Sequence, residues 1–371
     1  MGLFLSSDSI TRSKSDWRAG IEMFKKKTVF VVGAGGSFEV GLPVGDTLAV
    51  MISDRLKSSE ERSIRPADER IDDAINGLAR SRHEQRAGHY HIAAQSIAQA
   101  MPISLSIDNF LHTHSEDQNK VDVGKIAIAR CILEAERTCD LYSDSHGPFD
   151  FTYLHARYRL NGRLASWHNT FFKMLTENVK RTNLEALFDN ICIITFNYDR
   201  CIEHYISHAV ARFFGMPLNE AQELCTSLEI IHPYGQVGNL LDRSKSVIEF
   251  GMDAYGDELL AVSRQIRTFT EQMTEENTVE KIRSRLEEAP SIVFLGFSYG
   301  DMNIKMLQTD GDRENKTVVG SAKGISESNR LHIDSELRRA LRLDARHNLQ
   351  IHLVDDTCYS ILNNYSRLIM N

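Results

Sequence analysis

Four short stretches of this sequence bring glycine, hydroxyl, amide and imidazole groups together at spacings suited to holding a phosphorylated sugar and moving a proton. The first is Gly33-Ala34-Gly35-Gly36-Ser37, continued by Val40-Gly41-Leu42-Pro43. Glycines let a backbone approach a pyrophosphate closely, and the N–H groups opening the next helix supply partial positive charge. The ordinary dinucleotide fingerprint fails, because Phe38 stands at the third glycine position and no second strand with a ribose-binding acid follows promptly. A phosphate cradle and a tight strand-to-helix turn both fit. The second stretch is Thr195-Phe196-Asn197-Tyr198-Asp199. Asn197 offers an uncharged amide that donates to and accepts from a ribose hydroxyl or a water, while capping of the following helix is an equally ordinary use of Asn197 and Asp199.

The third stretch, His232-Pro233-Tyr234-Gly235, supplies an imidazole that titrates near neutrality and suits a proton acceptor. Of the 14 histidines, position at a strand end separates His232 from His112, His114, His204 and His208. The fourth, Leu295-Gly296-Phe297-Ser298-Tyr299-Gly300-Asp301-Met302-Asn303, reads as a close approach at Gly296 with Ser298 and Asn303 addressing a ribose or base. A strand-to-helix turn capped by Asp301 is the alternative.

The elements that must position these groups are legible as alternating strands and helices. Thr28 to Val32 is a buried strand, and strand character returns at Ile191 to Thr195, Leu228 to Ile231, Ser291 to Leu295 and Leu349 to Leu353. Helical patterns fill Glu258 to Glu287 and Ser328 to Leu343, while the polar, glycine-containing stretch Thr309 to Ser328 reads as an exposed loop or lid. From about Asp54 to Lys180 helix-period patterns dominate with no buried strand. The expected architecture is therefore an α/β, doubly wound, Rossmann-like parallel sheet with a large helical insertion. Its core would comprise residues 24–56 and 184–371, and the insertion residues 57–183. In such sheets ligands bind beyond the carboxyl ends of the strands, where all four stretches fall.

Composition narrows the function classes. With 371 residues, 42% apolar and 25% charged, the chain has the makeup of a folded protein with a sizeable core. A formal net charge of −8 argues against a broad nucleic-acid surface, although Lys25-Lys26-Lys27 is a local basic run. The six cysteines contain no CxxC pair and suggest neither a zinc ribbon nor a disulfide framework; they read as reduced, mostly buried thiols. No apolar run approaches the ~20 residues needed to span a bilayer. The opening residues, which loosely match a myristoylation pattern, are read as a polar lead-in, and the expected location is cytoplasmic.

In their order along the chain, these stretches resemble the sirtuin family, specifically its bacterial branch of defence-associated NAD⁺ hydrolases. GAGGS with GLP is similar to the sirtuin phosphate loop, TFNYD to the segment with the essential Asn and Asp, HPYG to that with the essential His, and LGFSYGDMN to the later ribose-binding loop. SIDNFL, Ser106 to Leu111, also resembles a segment of this branch. Two departures matter: Pro43 is followed by Val44-Gly45-Asp46-Thr47 instead of an acidic-phenylalanine-arginine run, and the zinc-binding cysteine module of the deacylases is missing. Both point away from acyl-lysine chemistry.

The resemblance implies cleavage of NAD⁺ to nicotinamide and ADP-ribose, with NAD⁺ as substrate and no metal. It implies Asn197 and His232 as catalytic residues. Gly33, Ala34, Gly35, Ser37, Asp108, Asp199, Gly296, Ser298 and Asn303 would bind the dinucleotide, with Asp199 holding its loop and Asp108 on the nicotinamide side. It further implies anti-phage defence by NAD⁺ depletion, a homo-oligomer, and partnership with an ATPase of the HerA family or another defence protein. An NAD⁺-dependent protein deacylase or ADP-ribosyltransferase, and a non-catalytic NAD⁺ or ADP-ribose sensor, are the alternatives.

Overall fold

A computed structural model describes residues 24–59, 63–84, 86–144, 149–154, 165–241, 248–273, 276–311, 316–343 and 350–371. The amino-terminal lead-in and Leu349, at the head of the last expected strand, lie outside them. Strand β1 (Thr28–Val32) is buried at every residue and runs into α1 (Ala34–Phe38) and α2 (Gly45–Leu56). Then come α3 (Glu69–Ser81), α4 (Gly88–Ala100), α5 (Ile107–Thr113), α6 (Gln118–Thr138) and α7 (Trp167–Thr176) before the chain re-enters the sheet as β2 (Ile191–Thr195). Among the described residues between β1 and β2 the regular elements are helices, as the sequence pattern predicts.

Helices α8 (Cys201–Phe214) and α9 (Leu218–Cys225) lead to β3 (Glu229–Ile231), and α10 (Asp257–Ser263), α11 (Phe269–Met273) and α12 (Glu276–Glu288) to β4 (Ser291–Leu295). The chain closes with α13 (Asp301–Met306), β5 (Thr317–Ser321), α14 (Glu327–Ala340), β6 (Gln350–Val354) and α15 (Cys358–Met370). The strand order is β3-β2-β1-β4-β5-β6, and every pairing is parallel. This is the doubly wound Rossmann-like order, in which the connections reverse direction between β1 and β4 and open a crevice at their carboxyl ends.

Side chains alternate across the sheet into two cores. Val29, Val31, Ile194, Ile292 and Phe294 face one core, and Phe30, Val32, Ile193, Val293 and Leu295 the other. With both faces covered, the central strands carry unbroken β-branched and apolar runs, which is why the sequence announces them.

Two expectations are corrected. The stretch Thr309 to Ser328 is not simply a loop or lid: Thr317–Ser321 forms β5, buried between β4 and β6. Its Thr-Val-Val core is short, and polar neighbours on both sides mask it. The helix expected from Glu258 to Glu287 is interrupted between α10 and α11. Gly235 pairs with Ile266 in an isolated bridge, and Arg267 N–H donates to the Tyr234 carbonyl at 2.9 Å, so the chain after α10 is drawn toward the residues following β3 instead of continuing as helix.

The long crossover is pinned to the sheet by a buried ion pair. Glu136 of α6 and Arg200, just before α8, both have side chains with 0% exposure and meet at 2.6 Å. Replacing Glu136 with Ala leaves an unpaired buried guanidinium and is expected to destabilise the fold by ~3–5 kcal/mol, read as a lower denaturation midpoint in urea, with a smaller loss for Glu136→Gln.

Candidate active site at the carboxyl edge of the sheet

The turns after β1 and β4 touch backbone to backbone. Gly33 N–H donates to the Leu295 carbonyl at 3.0 Å and Gly35 N–H to the Gly296 carbonyl at 2.9 Å. Gly296 adopts φ +60°, and a Cβ there would overlap the backbone of Gly35 and Gly36. A Cβ at Gly33 would come within 2.7 Å of the Gly296 oxygen. These glycines are therefore required by the contact between two loops. The Gly35 N–H is committed to that contact, and the Gly36 N–H donates to the Gly33 carbonyl at 2.8 Å. Behind the turn, the buried Trp167 donates from Nε1 to the Gly36 carbonyl at 2.9 Å.

Asn197 reaches this turn from the end of β2. Its Nδ2 donates to the Gly33 carbonyl at 3.1 Å and to Ser37 Oγ at 2.9 Å. Ser37 Oγ in turn donates to Asp199 Oδ1 at 3.1 Å, and the same oxygen accepts the Cys201 N–H at 3.1 Å. Both amide hydrogens of Asn197 are thus engaged, and no hydrogen bond among the described residues uses its Oδ1. Asp199 thereby ties the loop to the start of α8. Its burial pushes the carboxyl up to about 6, against the opposing effect of the Cys201 N–H and with reinforcement from the nearby charge of Glu136.

His232, after β3, joins the same cluster. Its Nδ1 lies 3.1 Å from the Asn197 carbonyl oxygen and its Nε2 lies 2.7 Å from Glu203 Oε1. Because a carbonyl only accepts, Nδ1 carries a proton and donates. Both nitrogens of the ring expected to accept a proton are engaged, and Nε2 faces a carboxylate. Burial alone would lower the titration of this ring, but the negative charge and hydrogen bond of Glu203 outweigh it and raise the value. Glu203 was missed in the sequence because it reads as an ordinary first-turn acid of α8; only its spacing of four residues from Asp199 could have marked it.

The remaining expected residues are farther along the same edge. Ala34 opens α1 and is partly exposed. Ser298 is exposed beyond β4, while Asn303 Oδ1 accepts a hydrogen bond from Tyr234 Oη at 2.7 Å and ties the β4 turn to the HPYG segment. Asp108, in the first turn of α5, accepts a hydrogen bond from Tyr198 Oη. That contact couples the helical crossover to the TFNYD segment, and burial raises the carboxyl of Asp108 despite the hydrogen bond from Tyr198.

A hollow of about 390 Å³ opens at the opposite edge, around the amino ends of the strands. Four of its five charged lining residues are paired with one another, Lys27 with Glu288 and Arg285 with Glu229, and the fifth is Asp189. Among the described residues no group of three or more His, Cys, Asp and Glu could hold a metal ion, and no helix is long and apolar enough to cross a membrane. All six cysteines are buried and free.

The SIR2-like domain family model matches residues 191–345. The match supports a sirtuin-like family, whose domains bind NAD⁺ and are typically NAD⁺-dependent enzymes. It runs from β2 past α14 and includes Asn197, Asp199, Glu203, His232, Gly296 and Asn303. The glycine turn after β1 lies outside the matched span, and the sheet brings it in by placing β1 between β2 and β4. Among curated proteins none matches the chain.

Two measurements test this geometry. Gly296→Ala combines a left-handed backbone with a steric overlap and is expected to cost at least ~1–3 kcal/mol in denaturant unfolding. The second concerns Asp199, whose carboxyl is raised above its ordinary 3.8. Its contribution to stability is full below that ordinary value and is lost as pH rises through about 6. Asp199→Asn retains an oxygen for Ser37 and Cys201, so its melting temperature relative to the parent should climb between about pH 4 and pH 8; a pH-independent difference would contradict the assignment.

Proposed function

We propose that this chain is an NAD⁺ glycohydrolase that cleaves NAD⁺ to nicotinamide and ADP-ribose. The observation that carries this reading is the hydrogen-bonded cluster of Asn197, Ser37, Asp199 and His232 beside the β1/β4 crevice, within a sheet whose greater part matches a family that binds NAD⁺. The groups fit the substrate in kind. Ribose hydroxyls call for neutral, fixed hydrogen-bond partners, and Asn197 Oδ1 is held in place by two hydrogen bonds through its own amide nitrogen.

In the proposed binding mode the nicotinamide ribose meets Asn197 and the His232 side of the cluster. The pyrophosphate lies over the start of α1 near Ala34 and Ser37, and the adenosine end reaches Ser298 and Asn303. Gly33, Gly35 and Gly296 support this mode by letting the two turns close on each other. Asp108 supports it through Tyr198. In the reaction the C–N bond to nicotinamide breaks, its electron pair leaves with the neutral nicotinamide, and a water oxygen bonds to the ribose carbon. Asn197 orients the ribose, and the His232 side receives the proton that the water gives up. The wider role proposed is depletion of NAD⁺ in anti-phage defence by a cytoplasmic homo-oligomer working with a partner ATPase or other defence protein; its support is the sequence resemblance.

Incubation of the purified chain with NAD⁺, with and without an acylated peptide, tests the reading by following nicotinamide and ADP-ribose. Release of both products without peptide is expected. Acyl transfer that requires peptide would replace the proposal with a deacylase, and tight binding without products would replace it with a sensor. Asn197→Ala and His232→Ala are each expected to lower nicotinamide release by about 10²–10⁴-fold.

A further inference from the structure

The hydrogen bonds of His232 leave little freedom in where a proton can go. Nδ1 holds one proton in its bond to the Asn197 carbonyl, and a second is shared between Nε2 and Glu203 Oε1 across 2.7 Å. Glu203 sits in the first turn of α8, where the helix start favours negative charge. Its side chain is only 6% exposed, and its other oxygen, Oε2, is enclosed without a hydrogen-bond partner. A buried carboxylate oxygen without a donor is costly and calls for an explanation. The other charged group acting on His232 is Asp199, which makes no hydrogen bond to the ring and whose Oδ1 holds Ser37 and the Cys201 N–H.

We propose that Glu203, through Oε2, is the proton acceptor of this site, and that His232 is a positioning residue holding both Glu203 and the Asn197 loop. This rests on the hydrolase reading above. As the C–N bond of NAD⁺ breaks and the water oxygen bonds to the ribose carbon, one O–H bond of that water breaks and its proton goes to Oε2. The pair then holds three protons, as a charged imidazolium beside a neutral carboxylic acid. Loss of the third to solvent resets it. The balance is NAD⁺ and water giving nicotinamide, ADP-ribose and one proton, with no other reactant. The charged ring is also the state that the surroundings of His232 favour.

The test uses the full chain with ¹⁵N-labelled histidine, and NAD⁺ as the substrate. In the parent at about neutral pH both His232 nitrogens are expected to be protonated. Glu203→Gln is expected to lower kcat for nicotinamide release by about 10²–10⁴-fold with KM changed less than about threefold. The same variant should lose the Nε2 proton of His232 at a lower pH than the parent does, with Glu203→Asp recovering part of the rate. A Glu203→Gln variant that folds and turns over within about threefold of the parent would overturn the proposal while leaving the hydrolase reading intact. A parent that releases no nicotinamide would sink the hydrolase reading itself. The histidine spectrum still decides the proton inventory in that case: a neutral ring with a bare Nε2 overturns the proposal, and a doubly protonated ring that depends on Glu203 supports it.

Discussion

A carboxylate and a guanidinium sealed from solvent set the position of nearly everything at this site. Glu136 accepts from Arg200 N at 2.9 Å, Nε at 3.1 Å and Nη2 at 2.6 Å, and from Gly251 N at 3.0 Å. Those four bonds fill the acceptor capacity of a carboxylate. Arg200 spends its other donors on the carbonyls of Ile248 and Glu249. Three distant pieces of chain are thereby locked together: the end of α6, the residue following Asp199, and the segment after β3. A buried pair of this kind adds little net stability over a well-packed apolar core, but loss of either member is severe. Its value here is positional, because Arg200 lies between the Asn197–Asp199 turn and the Glu203 turn of α8.

The same logic recurs at Glu39. Its Oε2 accepts the Trp167 N–H at 2.8 Å and its Oε1 accepts the Tyr359 N–H at 3.0 Å, so one carboxylate holds the starts of α7 and α15. Burial raises this carboxyl to about 7, with the backbone donors Tyr359, Trp167 and Cys358 opposing. Trp167 then carries the constraint to the Gly36 carbonyl. The glycine turn is thus fixed from behind by the crossover and from the side by Gly296.

The strands at the centre of the sheet could be read from the chain because burial on both faces demands uninterrupted β-branched and apolar residues, and Thr28–Val32, Ile191–Thr195 and Ser291–Leu295 match residue for residue. β5 escaped because its five residues include Gly320 and Ser321 and lie in a polar stretch. The four turns were legible because each follows a strand at the functional edge. What joins them was not. Ser37 and Asp199 stand 162 residues apart, Glu136 and Arg200 64, and Tyr198 and Asp108 90. No local periodicity encodes such pairings. Gly296 shows the converse problem: the need for glycine was visible, but the group it accommodates is the backbone of Gly35 and Gly36, which only the sheet order brings there.

The distribution of hydrogen bonds then limits what the site can recognise. Asn197 has spent both amide hydrogens, Ser37 both donates and accepts, Asp199 Oδ1 takes two donors, and both nitrogens of His232 are engaged. Three acceptor atoms are left over among these groups, Asn197 Oδ1, Asp199 Oδ2 and Glu203 Oε2, and each belongs to a side chain held in place through its other polar atom. Side chains whose unspent capacity is acceptor-only suit hydrogen-bond donors, which under the proposed reaction are ribose hydroxyls and the O–H of a water. Since none of these oxygens can turn away without breaking the bonds that hold its side chain, the proposed reaction would find its acceptors already oriented, with little reorganisation left to do.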